Sequence, residues 1–479
     1  MIIIYPEILL SVAILSLVLY GLNVPAFKLS IGSLLIMAVM ISLPFWRISY
    51  PPFYTTSADP DVLFWTGGLL MENSWIIVSK IIIIIGSISI LLLSIRGLSS
   101  LNPLKTFAGL SEGYIGSPIL ILIVAFSSLL LVSSINWLSI YLALELQTLT
   151  LFILAALKRD SSYSTEAGLK YFVLGALSSG LFLFGCALLY GLTGETSIQG
   201  INSILTADVG KVLITISLLF KLSAAPFHMW APDVYDGSPT TITALLAIVP
   251  KVGVFSILIQ IGPVTNVVLL CAVFSIIYGA LGALNQTKIK RLLAYSGIAH
   301  MGFILFGVAI GSFESIQATL IYLIIYVIMG ICSFSIILSL KLTKDLIVEL
   351  SGLSRENPVI ALTLALTFLS TAGVPPLAGF LSKWLIFLSG ISNGYYLISI
   401  IGVISAVVAG VYYVRLVQII YFQVDSSILI WQRVLKKEGK VDLSSSLLIG
   451  VTFFLILFLM ACPNFLLQIT HNATISLYL

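Results

Sequence analysis

The chain has 479 residues, of which 59% are hydrophobic and only 9% charged, with a formal net charge of +4 and a mean hydropathy of +1.15. Soluble domains carry about 25% charged residues, so this composition excludes a soluble globular fold, and the small positive charge gives no basis for nucleic-acid binding. Cys186, Cys271, Cys332 and Cys462 sit singly in apolar runs without metal-ligand spacing, and His228, His300 and His471 are too few for a two-haem cytochrome. No glycine-rich phosphate loop precedes a helix, so nothing in the chain points to redox or nucleotide chemistry of its own.

A membrane-crossing helix needs ~20 mostly apolar residues, and on that rule the chain reads as an all-α polytopic membrane protein of about fourteen spans. Met1 runs directly into Ile-Ile-Ile-Tyr with no basic segment, which predicts a retained first span rather than a cleaved signal. The first three spans are predicted at Ile2–Leu22, Leu29–Phe45 and Trp75–Ile95, with a polar, proline-bearing loop at Tyr50–Asn73. The fourth and fifth fall within Gly116–Leu157, a run interrupted only by Glu145, and the sixth covers Tyr171–Leu192. The seventh, Lys211–Trp230, carries Lys221 and is broken at Pro226, since proline removes a backbone donor. His228, Asp233 and Asp236 follow that break, and the eighth span, Thr240–Ile261, carries Lys251. The ninth to eleventh are predicted at Val264–Leu284, Leu292–Ile310 and Ser315–Leu340. The twelfth, Val359–Leu388, is broken at Pro375-Pro376 and carries Lys383; the thirteenth, Tyr396–Phe422, contains Arg415. The last, Leu447–Leu466, follows a basic loop with Arg433, Lys436 and Lys437.

Basic residues sort by loop. Loops after odd-numbered spans hold Lys28, then Arg96 and Lys105, then Lys158 and Arg159, then Lys288, Lys290 and Arg291, then Lys341, Lys344 and Arg355, and finally the Arg433–Lys440 cluster. Loops after even-numbered spans are acidic or nearly uncharged: Asp59, Asp61 and Glu72; Glu195 and Asp208; Glu314. The positive-inside rule then puts the odd loops on the cytoplasmic or matrix side and both ends of the chain opposite. Asp233 and Asp236, in an odd loop, stand outside the pattern. Spans four to eight and nine to thirteen each contain one proline-broken, lysine-bearing helix, and an odd offset inverts the second group against the first. This predicts two inverted five-helix repeats, 116–262 and 263–423, between an N-terminal three-helix segment at 1–115 and a basic loop with a final helix at 424–479.

Irregular backbone at membrane depth survives only where it is buried in protein or lines a wet cavity, and ionisable groups there default to a functional reading. Glu145 reads either as a transport carboxylate or as a structural one paired with a neighbouring helix. Lys221 reads as its partner, in an exchanging pair or a static one. Lys251 lies mid-span, where snorkelling to an interface is awkward, and Lys383 follows the Pro375-Pro376 break. His300 has the chemistry of a proton relay but also of a simple hydrogen-bonded core histidine, and His228 is either a relay or packing beside Pro226. Arg415 holds its proton too firmly to relay it and reads as a fixed charge or an anchor. One carboxylate, three lysines and a histidine on several helices, two of them broken, describe a proton wire better than a substrate pocket.

In Tyr141–Gln147, Ser164–Tyr171, Phe220–Tyr235, Gln286–Ser296 and Gly373–Lys383, the chain resembles the antiporter-like membrane-arm subunits of respiratory NADH dehydrogenase (complex I), of the subunit 2 type. The resemblance is strong over 134–416 and rests on topology alone at the ends. It implies a fourteen-helix proton-translocating subunit with an inverted repeat, in which Glu145 pairs with Lys221 and Lys251 links to Lys383 near the proton exit. It also implies no cofactor in this chain, with NADH, FMN, Fe–S clusters and ubiquinone held by partner subunits. The implied partners are other membrane-arm subunits, lipids and protons, with no nucleic acid. Mitochondrial members carry the same Ser164–Tyr171 run and a near-identical block around His228. The implied location is therefore the mitochondrial inner membrane, with both termini on the intermembrane-space side; bacterial cytoplasmic and thylakoid membranes are the alternatives. A stand-alone Mrp-like cation/proton antiporter shares the lysine pattern, and a non-pumping structural subunit is a third possibility.

Overall fold

The computed structural model describes residues 5–20, 30–36, 69–99, 116–158, 160–198, 208–340, 342, 345–423 and 442–478. Most of the expected second span, most of the Tyr50–Asn73 loop, and Lys28, Asp59, Asp61, Lys105, Arg159, Lys341, Lys344 and the Arg433–Lys440 cluster lie outside the described residues. Among those described, the chain is helical, with turns and three isolated bridges but no strand. Nine of the described helices are long and apolar enough to cross a membrane, and four shorter apolar helices accompany them. The chain is a multi-pass, all-α membrane protein, as its composition requires.

The described helices of eight residues or more are α1 (Tyr5–Tyr20), α2 (Ser74–Ser99), α3 (Ser117–Ser133), α4 (Trp137–Ala155), α5 (Ser162–Thr193), α6 (Asp208–Lys221), α7 (Trp230–Gly237) and α8 (Thr240–Ile261). They continue as α9 (Thr265–Ala283), α10 (Ile289–Ile310), α11 (Phe313–Leu340), α12 (Pro358–Ala372), α13 (Ala378–Ser392), α14 (Tyr396–Phe422), α15 (Leu443–Ala461) and α16 (Asn464–Tyr478). Pro118 and Pro358 open α3 and α12, where a missing backbone donor costs nothing. α5 starts at Ser162 rather than Tyr171, because Ser161 accepts from the Ser164 amide and caps the helix. The expected last span ends at Ala461, and Cys462-Pro463 separates it from a further helix, α16.

Two breaks interrupt the helices where proline predicted them. α6 stops at Lys221 and helix resumes at Trp230; α12 stops at Ala372 and helix resumes at Ala378. Both have the same layout. A residue with positive φ (Ser223, +58°; Gly373, +89°) is followed by a cis X-Pro bond, Ala225-Pro226 in one and Pro375-Pro376 in the other. Gly373 suits that position because a positive φ strains any residue with a Cβ.

The chain divides into two compact units. The first comprises Met1–Ser223, Gly237–Leu269 and Gln468–Leu479. Its centre is α8, buried almost throughout against α2, α3, α4 and α6. Where α5 meets α6, a Cβ on Gly185 would lie 3.0 Å from the Gly210 carbonyl oxygen; small residues let the two backbones approach, as is usual between membrane helices. The Trp75 indole donates to Ser256 of α8 at 2.8 Å. From α16, the Ser476 hydroxyl accepts from the Trp75 amide at 3.0 Å, and the Ser476 carbonyl accepts from the Asn73 side chain at 3.3 Å.

The second unit comprises Ala224–Asp236 and Leu270–Leu467. Here α11 is central, packed against α10, α12, α13 and α15, with Tyr322, Tyr412, Tyr413, Phe306 and Phe368 fully buried. Asp233 and Asp236, the aspartates outside the charge pattern, bind the neighbouring basic loop: Arg291 reaches Asp233 at 2.8 Å and Lys288 reaches Asp236 at 2.9 Å. They neutralise basic groups of another odd-numbered loop, which explains acids in that position. Arg415 donates to the Leu284 carbonyl at 3.3 Å.

Candidate functional site

In the first unit the site residues are Glu145, Lys221 and Lys251. α4 turns Leu138, Leu142, Leu149 and Ile153 outward and buries Gln147, Thr148 and Leu151, a one-sided pattern set by the 3.6-residue repeat. Glu145 sits at the edge of the buried face. Its carboxylate lies 3.5 Å from the Thr148 hydroxyl. Lys221 is the last residue of α6, at the end where the helix dipole favours a cation. Its Nζ is buried with no hydrogen-bond partner. Glu145 is the carboxylate close enough to act on it electrostatically, yet the two make no direct ion pair. They are facing charges across a gap, not a clamped pair. Lys251 lies in the middle of α8, one residue after Pro250, and is buried.

In the second unit, Lys383 lies on α13 and points back across its own break. The ammonium donates to the carbonyls of Ala372 at 2.7 Å and Thr371 at 3.2 Å, in the last turn of α12. Those carbonyls have no partner within their helix, so the lysine closes the end of the half-helix that precedes it. It also stands 5.6 Å over the Phe303 ring, within cation–π range. Gly373 lies against this side chain: a Cβ there would be 2.9 Å from the Lys383 Cδ.

His300 of α10 shares a 2.7 Å hydrogen bond between its Nδ1 and the Tyr322 hydroxyl of α11. Its ring also faces Tyr326, centroids 5.7 Å apart, and Phe303, one turn on, stacks on Tyr322. The Tyr413 hydroxyl of α14 lies beside Ser296, Thr371 and Tyr412. Thr371 therefore adjoins both Lys383 and Tyr413, and Ser296 stands one turn before His300. The unit brings Lys383 and His300 into one buried polar cluster lined by tyrosines. His228, in the α6–α7 break, stacks on Tyr278 with centroids 5.8 Å apart. Pro226, Pro375 and Pro376 lie in the two breaks.

Two groups escaped the sequence reading. The tyrosines were signalled only by Tyr322 and Tyr326 one turn apart and by the Tyr412-Tyr413 pair, all inside apolar runs. The other group is a buried ion triad in the first unit, where Lys80 of α2 contacts Glu7 of α1 at 2.5 Å and Glu72 at 2.7 Å. A lysine within the third apolar run and a glutamate within the first were its signal. Among the described residues no group of three or more His, Cys, Asp or Glu is placed to hold a metal ion.

The family model described as NADH:quinone oxidoreductase/Mrp antiporter, TM, matches residues 134–409. NADH-ubiquinone oxidoreductase chain 2 of Metridium senile is 63% identical over 381 residues, covering 77% of this chain and 99% of that one. The chain of the same name from Marchantia polymorpha is 35% identical over 504 aligned positions, covering 99% of this chain and 98% of that one. A chain of respiratory complex I from Thermus thermophilus with bound aureothin superimposes with a TM-score of 0.80 at 26% identity, over 97% of this chain and 98% of that chain.

Proposed function

Because the chain belongs to the NADH:quinone oxidoreductase/Mrp antiporter family of membrane subunits, within the NADH-ubiquinone oxidoreductase chain 2 branch, we propose that it translocates protons in the membrane arm of a mitochondrial NADH:ubiquinone oxidoreductase. The route runs over Glu145, Lys221 and Lys251 in the first unit and over His300 and Lys383 in the second, with His228 beside the first break. Redox chemistry belongs to partner subunits that hold NADH, FMN, Fe–S clusters and ubiquinone. Moving one charge through 100 mV costs about 2.3 kcal/mol, and quinone reduction elsewhere in the complex supplies it. The proposed location is the mitochondrial inner membrane, with the odd-numbered loops on the matrix side and both termini facing the intermembrane space.

The observation that carries this reading is Lys221. An ammonium buried without a hydrogen-bond acceptor is costly, and a static structural pair would close the gap to Glu145. An open gap at the end of an interrupted helix instead lets the partner approach and withdraw, so that the lysine binds and releases its proton in turn. The test is Lys221→Met in the assembled complex, reconstituted in vesicles, with protons counted per electron. A lower ratio with intact assembly is expected. An unchanged ratio would reduce the chain to a scaffold, and cation-dependent dissipation of a pH gradient by the chain alone would make it a free antiporter.

A further inference from the structure

Outside the residues just assigned, the strongest concentration of buried charge among the described residues is the Glu7–Lys80–Glu72 triad. Lys80 is 1% exposed and the Glu7 side chain 6%, while Glu72 keeps 14%. Glu7 lies in the first turn of α1, and Glu72 lies two residues before α2. Both helices therefore begin at this end of the unit, and the triad sits at their common mouth. With all groups ionised the cluster carries two negative charges and one positive. One negative charge is then left over in a buried place, and the Glu7 Oε2 atom is buried with no hydrogen-bond partner. A neutral carboxyl is far cheaper to bury than an unpaired carboxylate.

We propose that Glu7, Lys80 and Glu72 form a proton-binding site separate from the Glu145, Lys221, Lys251 and Lys383 positions, in which the two carboxyl groups share one exchangeable proton. The proton comes from water at the mouth of α1 and α2, forms an O–H bond on one carboxyl, and leaves the other paired with the ammonium. The triad is then neutral. Both carboxylates bond the same ammonium, but its single positive charge neutralises only one of them, so the other takes the proton. Burial also pushes the Glu72 carboxyl above its usual range, against the pull of Lys80. Among the described side chains, α3 has no titratable one, and the remaining titratable ones on elements packed here are Lys251 of α8 and His471 and Tyr478 of α16. The proposal stands on this geometry and does not depend on the transport route assigned above.

The test is infrared difference spectroscopy on the complete complex in native membranes, stepping pH in H2O and in D2O. The expected signal is a protonated-carboxyl C=O band that shifts in D2O, fades as pH rises, and disappears in both Glu7→Gln and Glu72→Gln. Glu72→Asp should move the band without abolishing it. A band unaffected by all three substitutions, or no titrating band at all, would overturn the proposal and leave a permanently ionised triad. Because the variants risk failing to assemble, a second measurement uses the wild type. An apolar carbodiimide, which reacts with protonated carboxyls, should modify Glu72 or Glu7, mapped by mass spectrometry, with a yield that falls at least tenfold as pH rises. A yield independent of pH, or no adduct on either residue at any pH, also refutes it.

Discussion

Replacing Lys383 with Met isolates the part of its role that depends on hydrogen-bond donation. Methionine keeps the length and apolar volume of the stem but cannot donate to the last carbonyls of α12. The bond to Ala372, at 2.7 Å, is the stronger, and that to Thr371, at 3.2 Å, the weaker. A buried carbonyl left without a donor costs ~1–3 kcal/mol, and the lower part of that range for each gives roughly 2–4 kcal/mol in all. At a factor of ten per ~1.4 kcal/mol this is a ~30- to 700-fold change in local opening. Removing a buried ammonium meanwhile relieves several kcal/mol of desolvation, so the whole unit loses much less stability than the break does. The amides of Gly373, Val374 and Leu377, which hold the break through bonds to Leu369, Ser370 and Val374, are the reporters. Hydrogen–deuterium exchange on the assembled complex should show them exchanging faster by that factor, while amides of α11 stay protected. Unchanged protection at those amides would mean that Lys383 does not close the end of α12.

Two further outcomes follow from the same unit. In Gly379→Ala the new Cβ would collide with the Ser370 carbonyl oxygen, and both atoms are fixed by backbone; the complex should be missing from native gels, and normal assembly would contradict the packing of α12 on α13. Tyr322→Phe removes the 2.7 Å bond to His300 and should cost ~1 kcal/mol, the net worth of a buried hydrogen bond, read as a lower thermal midpoint of the membrane arm; an unchanged midpoint would show that the bond contributes nothing.

From Ser117 onward most of the helices were legible because membrane helices announce themselves by apolar length. Thr240–Ile261 and Tyr396–Phe422 occupy the residues predicted for them, and the two breaks fall where proline denies the backbone a donor. The start of α5 was misplaced because its first turns are polar, and a capping serine, not hydropathy, defines them. The separate helix α16 was missed because Asn464–Tyr478 mixes polar and apolar residues and reads poorly on a hydropathy window. Single buried charges such as Lys221 and Lys383 stood out against apolar neighbours. What each one touches did not. That Lys383 turns back to the carbonyls of α12, or that Lys80 gathers Glu7 and Glu72 from distant segments, depends on the three-dimensional path of the chain. Tyrosines are common enough at membrane interfaces that Tyr322, Tyr326, Tyr412 and Tyr413 carried no weight until they were seen side by side.

The bonds from Ser476 to Asn73 and Trp75 join residues 403 and 401 positions apart. At the usual pace of translation, 5–20 residues per second, roughly 20–80 s separate the synthesis of Trp75 from that of Ser476. For that interval the start of α2 lacks the partner that holds its amide in the finished fold, so the earliest-made unit is the last to be completed. A chain cut short after α15 would leave behind a lesion at its opposite end.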